Sequence, residues 1–318
     1  YSIIASDRMG NPVPVGTTIS FVSEGGQVEA SKQITLSSGL SRASVNFVSA
    51  EPRPRDGRIT VLAYALGEES FLDLNGNNIY DNSEDFFDLG DLFVDRAFNG
   101  QWDPAEDQYV SLSLTGTSAC RAATNSILLG GQNEAWVPSR TGTCNGVWGR
   151  AYVRRAIETV FSTSSARPVW SSQPANSVTS APIVLQNAPI PYPTSSSAIP
   201  SASFFPVAGA SLSCVGKSGT VSFLAADANT FTGTASVVGR LNPLAAGTKI
   251  EASTPSEDLT VSVIGGSPVP STTEATAAAF SYTFGDTGTS GTVVLKFSSP
   301  SGLVTSVTLS INRAGCPP

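Results

Sequence analysis

The sequence has no histidine. That excludes Ser-His-Asp and Cys-His nucleophile machinery and any histidine-ligated zinc site. It has no run of 18 or more apolar residues, so no segment reads as a membrane-spanning helix. Charge is sparse, at 14% of residues, and basic residues are the scarcer sign: 18 Lys and Arg against 25 Asp and Glu. The net charge of −7 argues against nucleic acid or an anionic membrane as partner. Cysteine is limited to four residues, none in C-x-x-C spacing, which argues against zinc or dithiol redox chemistry. An even, widely spaced set fits two disulfides, Cys120 with Cys144 and Cys214 with Cys316, and hence an oxidising compartment; four buried thiols are the alternative. No secretory signal pattern is present. The chain opens within a strand-like pattern at Tyr1, so it reads as a mature or excised part of a longer protein.

Long 3.6-residue periodicity is also missing. What recurs instead is short apolar runs bounded by Gly, Pro, Ser and Asn, the pattern of an all-β protein. At 318 residues there is room for two domains. Thr17, Ile19 and Phe21 alternate, as do Val45 and Phe47, and Ile59–Leu66 carries residues fit for burial on both faces. Pro12 and Pro14 remove two ladder donors and place their segment at a sheet edge. Tyr109–Leu114 alternates and would supply a closing strand. Ala151–Phe161 reads as one strand or a hairpin. Arg140, Arg150, Arg154 and Arg155 make residues 119–165 the most basic region, as either an exposed strand face, the simpler reading, or a dock for the acidic residues described next. From Ser162 to about Ser203 the chain is rich in Ser, Pro and Ala and reads as an extended linker. Seven short strands then run from Ser211 to Ile311, the count of an immunoglobulin-type sandwich. Within them Asn242-Pro-Leu-Ala-Ala-Gly-Thr-Lys-Ile250 echoes Asn11-Pro-Val-Pro-Val-Gly-Thr-Thr-Ile19.

The stretch from Glu68 to Asp107 holds twelve of the 25 acidic residues, with Arg96 as its single base. So many carboxylates repel one another, and a compact arrangement calls for a cation. Asp73, Asn75, Asn77, Asp81 and Glu84 occupy the first, third, fifth, ninth and twelfth places of a twelve-residue loop, with the Ile79 carbonyl at the seventh. The stretch resembles the calcium loops of EF-hand and dockerin modules. Asn78 stands at the sixth place, where the pattern wants Gly; Asn is the next residue to tolerate a left-handed backbone. A second loop of the same length follows, with Asp95, Asn99, Gln101, Asp103 and Glu106 as its candidate ligands and Gly100 at the sixth place. Ala97 removes its third-place ligand, for which a water or a neighbour such as Asp88 or Asp91 would substitute. The alternatives are a solvated acidic loop or a catalytic carboxylate pair. Tyr80, Phe86, Phe87, Phe93, Phe98, Trp102 and Tyr109 interleave the acids, as either a small core or a carbohydrate-binding platform.

Residues 1 to 67 carry a more specific pattern. Asp7, Gly10-Asn-Pro-Val-Pro14, Gly16-Thr17, Ile19 and Phe21 are followed by Ser37-Ser-Gly-Leu-Ser-Arg-Ala-Ser-Val45 and Asp56-Gly-Arg-Ile-Thr-Val-Leu-Ala-Tyr-Ala-Leu-Gly67. This resembles the bacterial Ig-like group 1 repeat of invasin and intimin adhesins. The resemblance implies tandem Ig-like sandwiches on a bacterial surface protein. The expected domains are residues 1–165, with the acidic insertion 68–107 and a disulfide-closed extension 119–165, then a linker 166–203, then residues 204–318. The expected function is a non-catalytic, calcium-rigidified adhesion or structural module that is extracellular, anchored at the cell surface or outer membrane, or periplasmic. Its partners would be neighbouring repeats and a protein or glycan receptor. A carbohydrate-binding module is the alternative, and a glycosidase a more distant one.

Overall fold

The computed structural model describes residues 1–54, 56–96, 102–105, 107–110, 144–169, 210–212, 215–227, 231–233, 238–240, 242–274 and 276–313. These residues are all-β: every regular element among them is a strand. No helix among them is long and apolar enough to cross a membrane. The chain divides into two units, Tyr1–Pro54 with Arg58–Thr159, and Arg55–Gly57 with Val160–Pro318.

In the first unit a four-stranded sheet runs in the order Arg150–Val160, Arg58–Glu68, Thr18–Ser23, Ser31–Gln33. A three-stranded sheet runs Ser2–Ile4, Leu40–Ser44, Thr35–Ser37. The period-2 alternation of Ile19 and Phe21 points both at a core shared with Ile34, Ala43, Val45 and Ala63. Residues of the opposite parity on Arg58–Glu68 serve a second cluster, in which Leu62 and Tyr64 meet Leu92, Val110, Tyr152 and Ala156. Leu92 belongs to the acidic insertion and Val110 follows its end, so this segment covers the outer face of the sheet. A strand apolar on both faces needs such a cover.

The neighbour of Arg58–Glu68 differs from the expected one. It is Arg150–Val160, a single long strand. Gln108–Tyr109 instead pairs with Phe93–Val94 inside the insertion, and residues 111–114 lie outside the described set. Alternation marks Tyr109–Leu114 as strand-like but carries no information on which strand it joins.

In the second unit one sheet runs Ala166–Val169, Ser218–Asp227, Thr276–Phe284, Leu259–Gly265. The other runs Ala210–Leu212, Val304–Asn312, Ser290–Ser298, Lys249–Ser253, with the first pair parallel. Phe223, Phe280 and Phe284 of one and Leu295, Phe297 and Ile311 of the other share one core. This unit starts earlier than composition suggests: Ala166–Val169, expected as linker, is a strand paired to Ser218–Asp227. Residues 170–209 lie outside the described set.

The Asn-Pro…Gly-Thr echo is structural. Gly16 and Gly247 both take positive φ, +92° and +85°. Thr17 and Thr248 each donate a hydroxyl hydrogen bond to the carbonyl three residues back, Pro14 and Ala245, at 2.8 and 2.6 Å. Ile34 and Val269 then pair with the Gly-Thr peptide in the same way in the two units.

Arg58 and Glu158 face each other across the two long strands of the first unit as a buried ion pair, 2.8 Å apart. Removing one member of such a pair strands the other charge away from water. Glu158→Gln is expected to destabilise the first unit by about 3 kcal/mol, and Arg58→Met/Glu158→Leu to recover most of that loss. Urea unfolding of the three variants against wild type checks this.

Candidate functional site

The chain enters the insertion at the end of Arg58–Glu68, and Phe71 and Phe86 then bridge in antiparallel fashion across the base of the first acidic loop. Asp73 anchors the loop by accepting hydrogen bonds from the backbone N–H groups of Gly76, Asn77 and Asn78 at 2.7, 3.2 and 2.8 Å. Gly76 and Asn78 both have positive φ, +74° and +63°. The sixth place thus takes the left-handed turn even with Asn, whose short polar side chain tolerates it. Asn75 and Asn77 direct their amide groups at the Asp81 carboxylate, at 2.6 and 3.0 Å. Glu84, which is buried, accepts from the N–H of Leu74 at 2.7 Å and of Asp81 at 3.0 Å, the second and ninth places. Burial pulls the Asp73 carboxyl upward, but the three N–H donors and Arg8 outweigh it and hold it below its usual value. Arg8 lies 3.6 Å from Asp73 and rests on the Phe71 ring at 3.7 Å.

The second loop is closed in the same way by a different residue. Arg96 and Asp103, its second and ninth places, donate their N–H groups to Asp107 at 3.0 and 2.7 Å. Asp107 is one place beyond the expected closing ligand Glu106, which lies outside the described residues with Asn99 and Gln101. The extra residue is absorbed in the turn: Asp107 N–H reaches back four residues to the Asp103 carbonyl, where Glu84 N–H reaches back three to Asp81. Asp, one methylene shorter than Glu, closes the loop from one residue further on. Burial raises the Asp107 carboxyl despite its hydrogen bonds. Asp95, at the first place, is fully buried, and its carbonyl accepts from the Thr60 hydroxyl.

Asp88 and Asp91, the expected substitutes for Ala97, are both buried. The structure places Asp88 against the segment after Cys144, accepting from Gly146 N–H at 2.9 Å. Glu69 belongs to the same group. It accepts from Leu89 N–H at 2.7 Å and Gly149 N–H at 3.0 Å, and its carbonyl accepts from Trp148 Nε1 at 2.8 Å. Desolvation, aided by the nearby Asp88 charge, pushes the Glu69 carboxyl up to about 7. Arg154 is buried beside this group and donates to the carbonyls of Gly90 and Tyr152, both at 2.9 Å. Burial pulls its guanidinium down to about 10 against the opposing pull of Asp91 and Glu69. Arg154 thus docks on the acidic stretch; the simpler reading of an exposed face fails for it. Cys144 is disulfide-bonded. Cys120, Cys214 and Cys316 lie outside the described residues.

The aromatic residues turn inward. Tyr80 stacks on Trp148 at 4.9 Å and meets Phe71 and Phe86 edge-on, both at 5.6 Å. Trp102 packs edge-on against Phe93, which is fully buried. This is the small core of the insertion. Phe98 and the side chain of Tyr109 lie outside the described set.

Glu69, Asp107 and Trp148 were not among the sites expected from sequence. For Asp107 the signal was the doublet Glu106-Asp107, in which the loop template picks the first acid. Among the described residues, no group of three or more Asp, Glu or Cys side chains stands at metal-holding spacing.

No family model matches this chain. No curated protein matches it either. Among solved structures, extracellular cadherin domains 3–6 of protocadherin gamma B2 align over 98% of this chain and 77% of that one, at 9% identity and a TM-score of 0.18. A score that low carries no argument about fold or function.

The raised Glu69 carboxyl gives stability a sign with pH. Between about 4.5 and about 7 the folded state holds a proton that the unfolded chain has released, so stability falls as pH rises through that window and levels off above it. Asp107, also raised, adds in the same direction at the acid end. In chelator, the first unit is expected to melt at higher temperature at pH 5.5 than at pH 7.5, with Glu69→Gln flattening the difference. Calorimetry at the two pH values checks this.

Proposed function

We propose that this chain is a non-catalytic structural or adhesion module of a bacterial secreted or cell-surface protein. On this reading it is built of tandem Ig-like β-sandwiches, the first carrying an insertion that calcium stiffens. The observation that carries it is the shared closure of the two acidic loops: a buried or partly buried carboxylate takes the N–H groups of the second and ninth places in both.

The donor set of the first loop fits a hard cation. Asp73, Asn75, Asn77, Asp81, Glu84 and the Ile79 carbonyl offer only oxygen, the ligand type calcium takes. The two Asn amides already converge on Asp81. In the second loop Asp95, Asp103 and Asp107 are the described counterparts. Bound there, calcium would neutralise the carboxylates and make loop folding depend on metal. The chain's own part is to hold those oxygens in place, through the N–H groups of Gly76, Asn77 and Asn78 on Asp73 and through Arg8 on the Phe71 ring. The expected adhesin-like setting rests on the pattern of residues 1–67. The inward packing of Tyr80, Phe86, Phe93 and Trp102 disfavours the carbohydrate-platform reading.

Calcium at about a hundred times its dissociation constant is expected to stabilise the insertion by about 2.7 kcal/mol. The first-unit melting transition should rise accordingly in calcium over chelator. Asp73→Asn and Glu84→Gln should each remove the first loop's share of the rise. An identical transition in calcium and chelator would remove the metal from the proposal.

A further inference from the structure

Beneath the acidic loops, Glu69 and Asp88 make a separate pair. They are 4% and 1% exposed. Two N–H groups of one turn hold them, Gly149 on Glu69 Oε2 and Gly146 on Asp88 Oδ2. The other Glu69 oxygen sits on the N–H of Leu89, next in sequence to Asp88. The two carboxyls therefore share the same two backbone segments, and each disfavours charge on the other.

The cation beside them is Arg154, whose guanidinium responds to Asp91 more strongly than to Glu69. Glu69, Asp88 and Asp91 are all buried in this region. Asp88 Oδ1 is the single described buried side-chain oxygen or nitrogen with no hydrogen-bond partner. A buried carboxylate oxygen left unpaired is costly, and such an orphan calls for an occupant.

We propose that Glu69 and Asp88 form a cation site of their own, distinct from the two acidic loops, that takes a hard divalent cation of the calcium class. Two carboxylates balance the charge of one such ion, and backbone carbonyls and water complete the oxygen shell that calcium requires. The pair lacks the sulfur or nitrogen that zinc prefers. Its position gives the ion a purpose. Glu69 follows the strand Arg58–Glu68, Asp88 lies mid-insertion, and the turn that caps both joins disulfide-bonded Cys144 to the strand Arg150–Val160. One ion would fasten all three. The proposal goes beyond the loop reading: Asp88, which the sequence offered as a substitute ligand of the second loop, is held by Gly146 N–H beside Glu69 instead, and the pair shares no ligand with the loop residues Asp73, Asn75, Asn77, Asp81, Glu84, Asp95, Asp103 and Asp107.

The test is isothermal titration of the full chain with calcium after chelation, in wild type, Asp73→Asn, Asp103→Asn, Asp88→Asn and Glu69→Gln. The expected result is that Asp88→Asn and Glu69→Gln each lower the number of ions bound by one, while Asp73→Asn and Asp103→Asn leave that ion in place. If Asp88→Asn does not fold, Glu69→Gln, which keeps one acceptor, reads the same site. Stoichiometry unchanged in the Glu69 and Asp88 variants overturns the proposal, as does a wild type whose ions are all lost in Asp73→Asn and Asp103→Asn; a shared proton then fills the pair. Failure of the loop reading looks different: Asp73→Asn and Asp103→Asn then change nothing.

Discussion

The first unit depends on carboxylates held by main-chain N–H groups. Glu84, Asp107, Glu69 and Asp88 each point at backbone donors rather than at basic side chains. An N–H group can hold a carboxylate in place, but it carries only a partial charge and cannot cancel a whole one. The acidic insertion is therefore well organised in geometry and poorly balanced in charge. That imbalance, more than the count of acidic residues, is what the proposed cation would offset.

The insertion is where it is because of one strand. Arg58–Glu68 buries both faces: Ala63 and Ala65 look into the first core, Leu62 and Tyr64 into the second. The excursion between residues 69 and 110 brings Leu92 and Val110 onto that second face. Charged loops must then pack close to an apolar surface, which is how Asp88, Asp91 and Asp95 come to be buried. Arg58–Glu158 answers the same constraint with a matched ion pair. In the second unit, the described residues of two sheets fill one core with phenylalanine and aliphatic side chains.

Local features were legible in the sequence and distant pairings were not. Six of the seven strands expected between Ser211 and Ile311 are present, and the first is described as Ala210–Leu212, because alternation is a local signal. The left-handed turn at Asn78 and the matching turns at Gly16 and Gly247 were legible for the same reason. The choice of Arg150–Val160 over Tyr109–Leu114 as the neighbour of Arg58–Glu68 rests on contacts between residues about ninety positions apart, which no periodicity encodes. The strand Ala166–Val169 was hidden by Pro168, which an edge strand tolerates. Asp107 escaped because a fixed twelve-residue template cannot see a turn lengthened by one residue. Glu69 and Trp148 meet only in the folded chain, 79 positions apart in sequence.

The most direct measurement is hydrogen exchange at the amides of Leu74, Asp81, Arg96 and Asp103, the four groups on which the two closing carboxylates rest. If a cation completes the loops, these amides exchange slowly in calcium and lose much of that protection in chelator, while the core of the second unit is unchanged. Equal protection at all four with and without calcium would mean that the carboxylates hold the loops unaided, and would contradict the account.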